Sequence, residues 1–184
     1  MKNQLLLTVL FSFAFGLLFA QTATQHIGTL HVGKKEKKVF NDRDSASIIH
    51  IDSLIMKDKS SLQFFGKKDV QLIVNYAEIG DKVFISGIAG KNNASNFDID
   101  INFKKLGSLY ILARGQDAMN GTKTFPNGNG GTVNLRYNSQ GITPQTTDKK
   151  AKQYLFTDVS AGGRTTNPSS DLNQIYSRIA TSSP

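Results

Sequence analysis

The chain has 184 residues, with 22 Lys and Arg against 14 Asp and Glu, a formal charge of +8 and no cysteine. Without cysteine there are no disulfide staples, no thiol nucleophile and no cysteine metal site, so stability must come from packing and hydrogen bonds. The basic balance favours polyanions such as acidic glycans, lipid headgroups or nucleic acid, although lysine also keeps β surfaces soluble and blocks edge pairing.

Residues 1–20 read as a secretory signal. Lys2 sits in a short polar start, an apolar run extends from Leu5 to Phe19, and the run ends at Ala20 before Gln21. That run is short of the roughly 20 residues a permanent spanning helix needs. Cleavage is expected between Ala20 and Gln21, with export to the periplasm, the cell surface or the medium and a mature charge of +7 after loss of Lys2. No cysteine follows to carry a lipid, and no second long apolar segment suggests integration into a membrane.

Residues 21–44 form a polar, basic lead-in with the run Lys34-Lys35-Glu36-Lys37-Lys38, which fits either a strand pair or a mobile arm. Residues 45–140 carry the β-rich core domain. Val70, Leu72 and Val74, then Phe97, Ile99 and Ile101, then Leu109 and Ile111, then Val133 and Leu135 alternate with other residues. Period-two alternation marks half-buried strands, and these residues are expected to point inward. Residues 141–184 form a polar extension, with a short helix predicted over 171–180 from the spacing of Leu172, Ile175, Tyr176 and Ile179.

The strands recur loosely. Leu62, Val83 and Leu109 make one series, Leu72, Ile99 and Leu135 a second, and Met56, Ile79 and Leu106 a third. Short strands recurring every 20 to 29 residues are the mark of a coiled solenoid whose turns bury their apolar sides by stacking. The expected fold is therefore mainly β, a short right-handed parallel β-helix, with an antiparallel β-sandwich as the alternative. The glycine-rich stretches Ala113–Asp117, Asn120–Thr122 and Asn127–Val133 resemble the turns of parallel β-helix adhesins exported by Bacteroidota. Within that resemblance, Asp44-Ser45-Ala46 and Asp52-Ser53-Leu54 match an O-glycosylation pattern, which makes Ser45 and Ser53 candidates for modification.

No catalytic set, cofactor motif or metal site emerges. His26 and His31 are five apart with no third partner, and they read as ordinary surface residues rather than zinc ligands. Asp98 and Asp100 share a face but lie close to Lys104 and Lys105, which could balance them. Asn92, Asn93, Asn96 and Asp98 offer a loose calcium-like oxygen set. The run Asn127–Gly131 precedes a strand instead of opening a helix, so it is read as tight turns needing positive φ or a bulge, not as a phosphate cradle.

If the Leu62, Val83 and Leu109 strands stack in register, Gln63, Phe84 and Tyr110 point outward, and Phe84 and Tyr110 form an aromatic ladder. A polar strip of Asn75, Asp98, Asp100, Asn102, Asn134 and Arg136 lies on the other face. Phe84, Tyr110, Asn102, Asn134 and Arg136 are thus the candidate ligand-binding residues, of types that suit sugar rings. The function expected is an exported, non-enzymatic structural or adhesive module that contacts glycans, polyanionic matrix or a larger envelope assembly, without nucleic-acid specificity. The alternatives are a polysaccharide-lyase-like enzyme using Arg114, Arg136, Asp98 and Asp100, and an accessory subunit of a secretion or surface complex.

Overall fold

The computed structural model describes residues 24–118, 126–138 and 140–163. The signal segment 1–20, its Ala20–Gln21 junction and the helix expected over 171–180 lie outside the described residues. The elements in order are β1 (Thr24–Val32), β2 (Lys37–Phe40), β3 (Ala46–Met56), β4 (Ser61–Phe65), β5 (Asp69–Ile79), β6 (Val83–Gly90), β7 (Asn93–Ala94), β8 (Asn96–Leu106), β9 (Ser108–Leu112), β10 (Val133–Tyr137) and β11 (Tyr154–Asp158). Among the described residues there is no helix.

The strands form two parallel sheets. The first runs β1-β3-β5-β8-β10 and the second β2-β4-β6-β9-β11, with the short β7 paired antiparallel to β6 at its margin. Each coil gives one strand to each sheet and then stacks on the next coil, so the chain is a parallel β-solenoid. A sandwich is ruled out, because every long strand pair is parallel. The segment expected to be a separate lead-in belongs to the solenoid: β1 and β2 form its first coil, pairing with β3 and β4 and not with each other, and β11 extends the second sheet past residue 140.

Alternation builds the interior. Ile49, Ile51, Leu72, Val74, Ile99 and Ile101 point in from the first sheet, and Leu62, Phe64, Val83, Ile85, Leu109 and Ile111 from the second, all essentially inaccessible to solvent. Phe64 meets Phe97 edge-on across the core at 5.7 Å between centroids, and Phe40 stacks on Phe64 at 5.0 Å. Val133 and Leu135, on the last strand of the first sheet, are only partly buried against this core. Among the described residues no further strand of that sheet covers it.

The glycine run near residue 130 works differently from the expectation. Gly128, Gly130 and Gly131 do not adopt positive φ. They let backbone lie on backbone: a Cβ on Gly128 would come within 1.7 Å of the Asn92 carbonyl oxygen, and one on Gly131 within 2.1 Å of that of Ser95. Asn129 O accepts from Ala94 N, and Gly131 N donates to Ala113 O. Close approach is the second reason a chain uses glycine, and here it locks the long insertion onto the coil beneath it.

At the corner between β4 and β5, Lys67 is fully buried. Its Nζ donates to the carbonyl oxygens of Asp42 at 3.1 Å and Asp44 at 2.6 Å and pairs with the Asp42 carboxylate. Burial pushes its pKa down, and the adjoining carboxylate opposes that push. This lysine ties the loop before β3 to the body and is spent on structure.

Candidate functional site

Three surfaces carry the residues of interest: the outer face of each sheet and one corner between them. On the first sheet, register places Asn134 beside Asp98 and Arg136 beside Asp100, so the polar strip expected from alternation is present. Arg136 Nη2 approaches Asp98 Oδ1 to 2.8 Å and Arg136 Nε lies 3.6 Å from Asp100 Oδ2. The two carboxylates therefore share one arginine on the next coil, and no ion pair joins them to Lys104 or Lys105. Exposed pairs of this kind contribute little stability, but they occupy the arginine that a polyanion would otherwise meet.

The oxygen-rich turn is also committed. Asn92 Nδ2 donates to Pro126 O, Asn93 Oδ1 accepts from Asn129 N, and Asn96 Oδ1 accepts from Thr132 N. These amides hold the glycine-rich insertion in place.

At the other end of the same face the coil period gathers residues far apart in sequence. His26 is the register partner of His50, and their rings lie 5.0 Å apart. His26 Nε2 is 3.1 Å from Asp52 Oδ1, which also accepts from Asn75 Nδ2 at 3.2 Å. The bond to His26, above all, holds the Asp52 carboxyl below its ordinary pKa. His31, the partner considered from sequence spacing, is exposed opposite Ile55 and is not part of this group. The missed signal was the interval from His26 to His50, which equals that from Thr24 to Ile48 across the same strand pair.

On the second sheet, Phe84 pairs in register with Tyr110 and Tyr110 with Phe156. The Phe84 and Tyr110 rings stack at 5.1 Å and 25°, and Phe156 tilts onto Tyr110 at 5.9 Å. The expected ladder is real and one ring longer. Gln63 does not stack on Phe84: Leu62 aligns with Ile85, so Gln63 lies beside Ser86 and Ser61 beside Phe84. A slip of two residues preserves which side chains face in, so alternation alone could not detect it. Next to the ladder is a groove of about 510 Å³ whose lining includes Gln63, Phe65, Ile88, Arg114 and Gln116. The stacked faces of Phe84 and Tyr110 are used against each other, which limits what they offer a sugar ring.

Arg114 belongs to this groove, following a strand of the second sheet, whereas Arg136, Asp98 and Asp100 lie on the first. The four residues of the lyase alternative therefore do not converge. Of the two serines, Ser45 is exposed just before β3, and Ser53 is half-buried within β3 beside Thr29.

The corner leading from the first sheet to the second holds a feature that sequence reading did not single out. Lys35, Lys59 and Lys82 all adopt left-handed backbone, with φ of 64°, 62° and 57°. Lys35 and Lys59 each lie two residues before the register partners Lys37 and Ser61, and Lys59 and Lys82 two before Ser61 and Phe84. The three therefore form a column, one lysine per coil at the roughly 4.8 Å inter-strand spacing. Lys35 N donates to Asp58 O and Lys59 N to Asp81 O, so each turn hangs on the next. Asp58 Oδ1 is occupied by Asp81 N at 3.0 Å. Among the described residues, Lys67 is the one lysine in an ion pair, and the column is free of them. Lys104, Lys105 and Lys152 line an adjoining groove of about 460 Å³ together with the carboxylates Asp58 and Asp81.

Fold and surface together define a parallel β-solenoid with an ion-paired polar face, a stacked aromatic face and a corner whose column lysines form no ion pair. No family model, curated protein or solved structure matches the chain.

Proposed function

We propose that this chain is an exported, non-enzymatic surface module that docks on polyanionic material, with acidic glycans of the envelope or matrix as the favoured target. One observation carries the reading: the left-handed lysine column of Lys35, Lys59 and Lys82. A side chain in that backbone region costs on the order of 1 kcal/mol relative to glycine. Three successive coils bear that cost with lysine where glycine or asparagine would sit easily. Strain of this kind persists where the surrounding structure holds it and clusters at functional sites; Lys91, Asn92 and Gln153 share it outside the column. A column of cations repeating at strand spacing, and unpaired, suits a polymer carrying regularly spaced negative groups.

Export rests on the pattern of residues 1–20. The non-enzymatic reading rests on Arg136 being held by Asp98 and Asp100 while Arg114 stands on the other sheet. The stacked aromatics then serve mainly to weld coils of the second sheet together. Binding to immobilised carboxylated and sulfated polysaccharides, beside a neutral one, tests this at low and high salt. Retention on the charged matrices alone, lost as salt rises, is expected, because exposed charges are screened within about 10 Å at 0.1 M. Equal retention on the neutral matrix, or none on any, overturns the reading.

A further inference from the structure

We propose that His26, His50 and Asp52 form a mononuclear site for a first-row transition-metal dication of the zinc type, bridging the first two strands of the first sheet. The three side chains offer donor atoms that all lie within 4.8 Å of one another. A tetrahedral zinc with bonds of about 2.0–2.1 Å needs donor separations of roughly 3.3 Å. The separation between His26 Nε2 and Asp52 Oδ1 is already 3.1 Å. His26 lies on the exposed terminal strand β1, so small side-chain rotations close the remaining distance.

Two further features separate this group from an ordinary histidine–carboxylate contact. His50 Nε2 is shielded from solvent and has no hydrogen-bond partner. An orphaned ring nitrogen beside two other donors is what a metal would satisfy. Asn75 Nδ2 donates to Asp52 Oδ1 at 3.2 Å and so orients the carboxylate, as outer residues do at metal centres. The donor set selects the metal. Two imidazoles and one carboxylate suit zinc, copper or nickel, while calcium and magnesium prefer oxygen throughout. Three protein donors leave a position for water.

The location gives the site a consequence for the fold. Among the described residues, His26 lies on β1, the outermost strand of the first sheet, and His50 and Asp52 lie on β3. An ion held by all three would clamp the terminal coil to its neighbour, at the end of the stack where a solenoid is least supported.

Titration of the purified chain with zinc by calorimetry, with cobalt as the optical probe, tests this. The expected result is one equivalent bound, a tetrahedral cobalt spectrum, a rise in melting temperature and slower amide exchange along β1. His26→Ala, which removes an exposed side chain, should abolish stoichiometric binding while leaving the circular dichroism unchanged. Asn75→Ala should weaken binding by about tenfold or more, and His31→Ala should not change it. His50→Gln serves as a second ligand variant should His50→Ala fail to fold. No stoichiometric binding by the wild type overturns the assignment, as does undiminished binding by His26→Ala or Asp52→Asn, or loss of binding in His31→Ala.

Discussion

The outer face of the first sheet and the lysine corner carry charge in opposite ways. On the face, Arg136 answers Asp98 and Asp100 from the neighbouring coil, so the arginine's charge is consumed within the protein. At the corner, Lys35, Lys59 and Lys82 repeat the same sign in successive coils without an ion pair. Stacking one sign at strand spacing destabilises the coil stack slightly, since like charges opposite one another repel. The face is thus arranged for the fold and the corner against it. A charge that the fold does not use is the better guide to where a partner binds.

The largest effect should come from disturbing what both regions depend on, the shared interior. Replacing Ile99, which is 1% exposed, by Asp should cost on the order of 3–5 kcal/mol by putting an unpaired charge in the core. Its neighbour Asp98 faces out, and Asp98→Asn should cost less than about 1 kcal/mol. Denaturant titration of the two variants separates them, and equal tolerance would contradict the facing of β8.

A medium effect is expected from the aromatic face. The double variant Phe84→Ala, Tyr110→Ala removes a stacked pair at 5.1 Å and should lower stability by roughly 2–4 kcal/mol, since both rings are half-buried. Retention on polyanionic polysaccharide should be unchanged as long as the protein is folded. Loss of retention in the folded variant would move the binding surface from the corner to the ladder.

Arg136→Ala should have the smallest effect, below about 1 kcal/mol, because the pair it breaks is largely exposed. Polyanion retention should hold or fall slightly with the loss of one neutralised cation. A steep fall would show that Arg136 is available to ligand despite its carboxylates, which would remove the contrast between the two regions.

Much of the fold was legible because strand alternation and coil stacking both leave marks in sequence. The pairs Met56–Ile79, Ile79–Leu106, Leu72–Ile99 and Ile99–Leu135 found by recurrence are true register partners. Leu62 was aligned two residues away from its real partner Ile85, because a two-residue slip exchanges one inward apolar residue for another. Turn geometry settles that register, and it is not visible in an apolar pattern. The Phe84–Tyr110 ladder was legible for the same reason that the core was. The histidine group is not, because the polar, lysine-rich residues before 45 hide the coil period that aligns His26 with His50. The lysine column escaped notice because its meaning lies in φ: a run rich in lysine looks the same whether its backbone is relaxed or left-handed.

The central claim is that the corner lysines are kept for a partner at the expense of the fold. The triple variant Lys35→Asn, Lys59→Asn, Lys82→Asn tests it in one preparation, because asparagine tolerates left-handed backbone better than lysine does. Stability by denaturant titration and retention on a carboxylated polysaccharide at low salt would be measured side by side. The account predicts opposite movements: equal or higher stability, by up to about 1 kcal/mol per site, with retention lost. Lower stability with retention intact would contradict it, and would make the column a structural device.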